Sequence, residues 1–165
     1  MTRYKHKILG FLFAAAICST FIGCKETSTR QSTSTSELLK GLANLKGYAL
    51  INCKFTIESE RKRDILPAPS DFKVIIRGYA DLSQAGMLSL KNDYSFEPID
   101  RNMLPVKLNE IVPPGKLLYS KEFNNTFSSN KPMYYNGFVV IRQNDEKNRV
   151  YFLTTDLDHD LKMSK

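Results

Sequence analysis

Histidine and cysteine are the side chains through which this chain could perform nucleophilic or metal chemistry, and they are sparse. Beyond the first thirty residues the histidine is His159 and the cysteine is Cys53. A serine or cysteine nucleophile would need His159 as its base, and no Gly-x-Ser-x-Gly elbow accompanies it. Cys53 falls on the apolar side of an alternating pattern, which is typical of an inert, buried thiol. The sequence therefore predicts a protein that is not an enzyme.

An acidic segment near residue 160 is the remaining candidate for metal chemistry. Asp156, Asp158 and Asp160 occupy alternate positions, as at the start of a calcium-binding loop. Leu161 stands where an EF-hand requires glycine, so a solvated acidic segment is the favoured interpretation. No phosphate loop, dinucleotide fingerprint or paired-cysteine zinc pattern occurs in the sequence. We expect no metal, no cofactor and no small-molecule substrate.

The first 23 residues have the composition of an export signal. Three cations, Arg3, Lys5 and Lys7, precede an apolar run from Ile8 to Ile22. This run is shorter than the about 20 residues that a permanent membrane-spanning helix needs. Residues 1–23 are therefore predicted to be a cleaved signal peptide. Without its three cations the formal charge of +7 becomes small and diffuse, which argues against nucleic acid as a partner.

Cys24 closes the sequence Phe21-Ile22-Gly23-Cys24, which looks like a bacterial lipobox. Such a motif is cut before the cysteine, whose thiol joins diacylglycerol and whose new amine is acylated, with palmitate for example. Two or more acyl chains anchor a protein stably to a membrane. Because Lys25 rather than aspartate follows, we expect the outer membrane. A plain secretory signal with an incidental cysteine and an uncleaved anchor helix remain open alternatives.

The chain after Cys24 divides into a polar segment and a folded domain. Residues 24–36 have no aliphatic or large aromatic side chain, which predicts a flexible tether. The domain is expected over residues 37–165. It begins with a short helix that Ser34 can cap, with Glu37 as the reciprocal partner. Leucines at helical spacing continue this helix, which Gly47 would stop; they are Leu38, Leu39, Leu42 and Leu45.

Beyond Gly47 the apolar period changes to two, which predicts strands. The clearest covers residues 49–58, and others are expected at residues 72–77, 104–108, 117–123, 134–143 and 149–155. Pro105 places its strand at a sheet edge, and residues 81–100 are compatible with either a helical turn or a short strand. Turns are expected at residues 113–115 and 144–148. Many short strands with little helix predict an all-β antiparallel β-sandwich with one short N-terminal helix.

The most informative surface feature is the segment Arg61-Lys62-Arg63-Asp64-Ile65-Leu66, within a loop predicted over residues 59–70. Adjacent cations steer an encounter, and an apolar pair anchors it. The segment therefore predicts a partner-docking loop. In the alternative interpretation Ile65 and Leu66 pack back onto the domain and the cations are ordinary solvated charge. Tyr134 and Tyr135 form a second candidate surface.

Three short motifs follow one another along the chain. They are Val74-Ile75-Ile76-Arg77-Gly78-Tyr79 after a proline-containing loop, Pro114-Gly115 opening a strand, and Tyr135-Asn136-Gly137-Phe138-Val139-Val140-Ile141-Arg142. Together with the lipobox and the domain size, this order resembles the TssJ (SciN) family, the outer-membrane lipoproteins of type VI secretion systems.

The resemblance implies a transthyretin-like β-sandwich with an added helix, anchored in the outer membrane and facing the periplasm. It implies a role in the secretion envelope complex, where the protein holds the periplasmic domain of the large inner-membrane TssM protein. In that family the loop between the first two strands makes this contact, which here is the loop that contains residues 61–66.

Two other functions remain open. The first is a lipoprotein inhibitor of a periplasmic or host enzyme, of the lysozyme-inhibitor type. Such inhibitors usually carry a disulfide, and Cys53 has no partner within the chain once Cys24 is lipidated. The second is a surface-exposed lipoprotein or adhesin, which would share the lipid anchor but face outward.

Overall fold

Seven antiparallel strands form one open sheet in the computed structural model, which describes residues 25–41, 43–62, 72–127 and 136–155. In chain order they are β1 (Lys25–Ser32), β2 (Leu50–Lys62), β3 (Phe72–Leu82), β4 (Glu97–Ile99), β5 (Leu117–Tyr119), β6 (Asn136–Arg142) and β7 (Arg149–Thr155). In space they lie in the order β1-β2-β3-β7-β6-β5-β4. The expected antiparallel all-β architecture is confirmed, whereas the packing of a second sheet against this one, as in a sandwich, stays a prediction.

Helical segments lie in the connections between strands. They are α1 (Thr35–Gly41), α2 (Gln84–Asp93), α3 (Val106–Asn109), α4 (Lys121–Phe127) and 3₁₀ segments at Ala43–Tyr48 and Arg101–Met103. The short N-terminal helix is confirmed, but α1 ends at Gly41 rather than at Gly47, and α2, α3 and α4 are helices beyond the one expected. Residues 81–100 contain both a helix, α2, and a short strand, β4. The predictions at Cys24, at residues 63–66, at Tyr134 and Tyr135 and at residues 156–160 lie outside the described residues.

Ser34 caps α1, as the sequence predicts. Its Oγ accepts a hydrogen bond from the backbone N–H of Glu37 at 3.2 Å, which satisfies one of the donors that a helix start leaves unpaired. The Glu37 carboxylate was expected to bond back to Ser34. It accepts instead from Ser32 Oγ at 2.6 Å and from the Arg30 guanidinium, so the cap ties α1 to β1.

Residues 25–32 form a strand, which corrects the prediction of a flexible tether over residues 24–36. β1 pairs with β2 over its whole length, from Lys25 opposite Lys62 to Ser32 opposite Phe55. A ladder of backbone hydrogen bonds requires no apolar side chain, so a polar composition does not exclude an edge strand. The β-branched Thr27 and Thr29 favour the extended backbone. Lys25, the residue that follows Cys24 in the sequence, is therefore already paired with β2.

The two faces of the sheet bury different side chains because neighbouring residues point to opposite sides. The helix-covered face packs against α1, α2 and α4 and carries Cys53, Phe55, Val74, Ile76, Ala80, Val139, Ile141, Val150 and Phe152. The opposite face packs against residues 104–112 and carries Ile75, Leu117, Val140, Tyr151 and Leu153. Strands β3, β6 and β7 are therefore central and buried on both sides, as expected for the run from Phe138 to Ile141.

The predicted edge strand over residues 104–108 is wrong, since Val106–Asn109 is helix α3. Leu104 and Leu108 are fully buried, whereas Val106 is 43% exposed. A strand would place all three side chains on one face. Leu104 instead lies in extended backbone before Pro105, and within α3 Val106 and Leu108 lie on different sides of the helix because they are only two residues apart. Pro105 occupies the N-cap position of α3, and proline is well tolerated at a helix start because no N–H is needed there.

The predicted strand over residues 117–123 is correct only as far as Tyr119, where β5 ends and α4 soon begins. Ser120 Oγ accepts from the backbone N–H of Phe123 at 3.3 Å and so marks the helix start. The last two predicted strands are confirmed as β6 and β7. Their hairpin contains two asparagines with left-handed backbone, Asn144 and Asn148, a conformation that asparagine tolerates well.

Candidate anchor and docking end of the sheet

The predicted docking cluster begins in a strand rather than in a loop. Residues 59–62 belong to β2, so Arg61 and Lys62 are its last two residues. Arg61 is paired with Phe72, the first residue of β3. Residues 59–62 therefore do not belong to the loop that was predicted over residues 59–70. We call the point where β1 begins, β2 ends and β3 begins the hairpin end of the sheet.

β1 starts at this same hairpin end, a relationship that the sequence analysis missed. Lys25 lies opposite Lys62, and Glu26 lies opposite Arg61. Cys24 precedes Lys25 directly in the sequence. The residue predicted to carry lipid and the residues predicted to bind a partner are therefore neighbours, because β1 runs antiparallel to β2. The alternating threonines of residues 27 and 29 are the sequence signal that could have indicated the strand.

Charged residues follow one another in the register at the hairpin end. Glu60 lies opposite Lys73, Glu26 lies opposite Arg61, and Lys25 lies opposite Lys62.

Side-chain contacts hold β1 against its neighbours in addition to the backbone ladder. Ser28 Oγ lies 2.7 Å from Ser59 Oγ on β2. Further along, Arg30 and Ser32 both donate to the Glu37 carboxylate of α1. The Arg30 hydrogen bond, followed by that from Ser32, lowers the pKa of Glu37 below its ordinary value. These contacts fix β1 relative to the rest of the sheet and to α1.

Ion pairs cross the face opposite α1, α2 and α4. Arg77 Nε lies 3.1 Å from Glu58 Oε1, and Lys107 Nζ donates to the second oxygen of the same carboxylate. Arg77 also pairs with Glu110 and donates to the Lys107 carbonyl at 3.0 Å. Because each of these carboxylates is bound by a cation, the network is suited to hold β2, β3 and α3 together rather than to transfer protons.

A second constellation on that face centres on Arg149. Its guanidinium donates to both carboxylate oxygens of Asp81 at 2.5 and 2.9 Å and lies 3.4 Å from the centroid of the Tyr79 ring. The hydrogen bond to Asp81 raises the pKa of Arg149 above its ordinary value. Burial, followed by the charge of Asp145, raises the pKa of Tyr151 beside it. This arrangement keeps Arg149 charged and Tyr151 protonated, which is a structural role.

Cys53 is wholly buried on the helix-covered face, which confirms its predicted structural position. Burial, followed by the charges of Asp81 and Glu37, raises the pKa of its thiol. A thiol of this kind is a poor nucleophile because the reactive form is the thiolate.

The described residues contain neither a cluster of metal ligands nor a helix that could span a membrane. Within residues 25–41, 43–62, 72–127 and 136–155, no three side chains of His, Cys, Asp or Glu cluster in a way that could hold a metal ion. Over the same part of the chain, every helix is too short or too polar to span a bilayer.

Comparison with known proteins gave no relative on which to base a function. No protein-family model matches the chain, and neither a curated protein nor a solved structure matches it. The hairpin end, with the predicted anchor beside the predicted docking cluster, is therefore the candidate site that the chain's own residues define.

Proposed function

We propose that this protein is a non-enzymatic, lipid-anchored envelope protein that faces the periplasm from the outer membrane. In this proposal Cys24 carries the lipid, and the domain binds the periplasmic domain of an inner-membrane secretion protein, as the resemblance to the TssJ (SciN) family implies. The partner-binding residues are Arg61, Lys62, Arg63, Asp64, Ile65 and Leu66. The transthyretin-like sandwich with an added helix belongs to the same proposal.

One observation carries the proposal, namely that Lys25, which follows Cys24 in the sequence, is already paired with β2. A lipidated residue joined to a paired strand fixes a rigid domain at the membrane, as a docking protein requires. The helix α2 between β3 and β4 supports the added helix of the implied fold. The charged residues on the sheet face opposite α1, α2 and α4 form ion pairs with one another, which fits a binding module better than an enzyme.

Metabolic labelling with an alkyne-palmitate probe tests the anchor. The wild-type protein should become labelled, and Cys24→Ser should abolish the label. Cys18→Ser is the matched control, because residue 18 lies inside the predicted signal and its loss should leave the label intact. Labelling that persists in Cys24→Ser would contradict the assignment of the lipid to that residue.

Co-purification with the periplasmic domain of a TssM-like protein tests the partner. Arg61→Glu combined with Arg63→Glu should reduce the amount recovered, because both substitutions invert a charge that steers the encounter. Lys46→Glu combined with Lys91→Glu changes the net charge equally at exposed positions elsewhere and should have little effect. Wild-type recovery by the first variant would contradict the docking assignment, and digestion of the domain on intact cells would favour an adhesin instead.

A further inference from the structure

The hydrogen-bond pattern of the sheet shows which backbone groups of β1 point away from it. Within a strand, the N–H and C=O groups of successive residues point to opposite sides. The Leu82 N–H of β3 donates to the Asn148 carbonyl beside β7 at 3.0 Å, so the odd-numbered residues of β3 face β2. The registers of β3 with β2 and of β2 with β1 then direct the even-numbered residues of β1 toward β2. The outward groups of β1 belong to Thr27, Thr29 and Gln31.

Where β2 and β6 extend past a shorter neighbour, asparagine side chains cap the open edge. The Cys53 N–H, beyond the end of β1, donates to Asn52 Oδ1 at 2.8 Å. The Val139 N–H, beyond the end of β5, donates to Asn124 Oδ1 of α4 at 3.0 Å. Neither N–H is left for an incoming strand.

The margin of the sheet at β4 carries a proline. The Gln143 N–H donates to the Lys116 carbonyl at 2.9 Å, so Lys116 faces β6 and the next residue, Leu117, faces β4. Leu117 pairs with Ile99, and the adjacent Pro98 therefore points outward from β4. Because proline has no N–H, it removes the donor that a further strand would need, which is a common protection of a sheet edge.

Within the described residues, the long edge of β1 has no such protection. Residues 27–31 are all exposed, and no described group bonds to the outward N–H groups of Thr27, Thr29 and Gln31. β1 is eight residues long, against three for β4, and it contains no proline. A long, exposed edge with outward N–H and C=O groups is a template for a further strand.

We infer that β1 pairs with β1 of a second copy of this chain, antiparallel across a two-fold axis, so that the seven-stranded sheets of the two copies become continuous. β1 has no aliphatic or aromatic side chain, so a strand added to it must be held by backbone hydrogen bonds and polar side chains. A second β1 supplies both, and a two-fold axis makes the edge complementary to itself. Such a dimer requires neither the lipid at Cys24 nor the docking cluster.

The hydroxyl side chains of β1 favour a pairing with Ser28 on the axis. Two identical edges can pair only where outward residues oppose outward residues, which places one residue of β1 on the two-fold axis. With Ser28 there, Thr27 of each copy lies opposite Thr29 of the other. Opposed hydroxyl side chains stabilise a strand pair, and Ser28 already makes such a contact with Ser59 of β2, with 2.7 Å between the two Oγ atoms.

Charge selects the same pairing. By position in the register, Glu26 falls opposite Arg30 of the second copy on both sides of the axis, and opposite charges at opposed positions stabilise a strand pair. An axis through Arg30 would oppose two guanidinium groups, and an axis through Thr29 would set Arg30 opposite a serine. Arg30 can serve two carboxylates, since its side chain is 59% exposed while it is bound to Glu37 and a guanidinium has several donors.

Disulfide trapping tests the pairing. Full-length protein in isolated membranes carries Ser28→Cys, Thr29→Cys or Ser36→Cys and is treated with copper phenanthroline. Opposed residues at a position without backbone hydrogen bonds have Cα atoms ~4.5 Å apart, which a disulfide can bridge. Residues 29 of the two copies are offset by two positions along the strands, about 7 Å, which is too far for a disulfide. Ser36 is exposed on α1 and reports random collision.

We expect a disulfide-linked dimer with Ser28→Cys that a reductant dissociates. Thr29→Cys and Ser36→Cys should give no more dimer than the wild type, which retains Cys24 and Cys53 and so measures the background. Equal amounts of dimer at residues 28 and 36 overturn the inference, as does stronger trapping at residue 29 than at residue 28.

Thr29→Pro tests the edge without a new thiol. The Thr29 N–H points away from β2, so the substitution keeps β1 in the sheet but places a proline ring where the second copy must pair. Sedimentation of the detergent-solubilised full-length protein should give twice the monomer mass for the wild type and the monomer mass for Thr29→Pro. Hydrogen exchange at Ser28 and Arg30, whose amides face β2, should stay slow in both. A monomeric wild type at every concentration overturns the inference, and so does a dimeric Thr29→Pro.

Discussion

Arg149 and Asp81 are joined by two hydrogen bonds across the central strands β7 and β3. The two residues are register partners, and the guanidinium donates from Nε and Nη2 to the two carboxylate oxygens, at 2.5 and 2.9 Å. Their side chains are only 14% and 16% exposed, and the guanidinium stacks on Tyr79. The pair therefore differs from an ordinary surface salt bridge, because both charges are largely removed from water.

Asp81→Asn should destabilise the domain, because it leaves a largely buried guanidinium without its charged partner. We expect a loss of about 1–3 kcal/mol in the free energy of unfolding, between the values for exposed and fully buried pairs. Urea denaturation followed by circular dichroism measures it. Glu97→Gln is the control, since Glu97 is exposed on β4 and its loss should change stability by no more than about 0.5 kcal/mol. Equal midpoints for the two variants would contradict a structural role for the pair.

Gly78→Ala tests the close approach of β3 to β2. A Cβ atom at residue 78 would lie 2.2 Å from the Lys54 carbonyl oxygen and 2.6 Å from Phe55 Cα. Backbone atoms of a central ladder cannot move aside readily, so we expect a loss of about 2 kcal/mol or more in the free energy of unfolding.

Gly47→Ala is the matched control for this substitution, because a Cβ atom there has no neighbour within 4 Å. It should be neutral, or stabilising by about 0.4–1 kcal/mol through a less flexible unfolded chain. If both alanine variants unfold at the same urea concentration, the result contradicts the close approach of β2 and β3 at Gly78.

Strands whose apolar side chains alternate, or that are apolar on both faces, could be predicted from the sequence. Phe55, Val139 and Phe152 belong to such strands, and each is buried on the helix-covered face. The pattern failed where a single turn of helix follows an apolar residue: residues 104, 106 and 108 alternate, yet Leu104 precedes α3, and α3 buries Leu108 but leaves Val106 exposed. Pattern alone does not distinguish the two periods over five residues.

The polar strand β1 could not be predicted from the hydrophobic pattern, because backbone hydrogen bonds to β2, rather than buried apolar side chains, stabilise it. The candidate site was missed for the same reason. Cys24 and the cluster at Arg61 were both identified in the sequence, but only the antiparallel register of β1 brings them to one end of the sheet. The register between two segments that are distant in the sequence depends on tertiary packing, and the residues of either segment alone do not determine it.

The Cys53 thiol should be unreactive in the folded protein and should make stability depend on pH above neutrality. Its pKa is raised by burial, so the folded state binds the proton more tightly than the unfolded state does. The free energy of unfolding should therefore fall as the pH rises above the ordinary thiol pKa of about 8.5. Urea denaturation between pH 7 and pH 10 measures the slope.

Cys53→Ala is the control for the pH dependence, because removal of the thiol should reduce that slope, most clearly below about pH 9, where tyrosine does not yet titrate. Reaction of the wild-type protein with Ellman's reagent should proceed only at the rate of unfolding. Rapid reaction under native conditions would show an accessible thiolate and would reopen a nucleophilic role for Cys53.

Hydrogen exchange and paired proline substitutions distinguish a strand from a tether at residues 25–32. Alternate amides of β1 face β2, so every second amide from Glu26 to Ser32 should be protected from exchange.

Of two adjacent residues such as Ser28 and Thr29, one N–H points to β2 and the other to solvent. Ser28→Pro and Thr29→Pro should therefore differ, since proline is tolerated only where the N–H faces outward. The inward substitution should release all of β1, while β6 and β7 keep their protection because they lie on the far side of β3. A tether would tolerate both prolines equally and exchange at the rate of an unfolded chain.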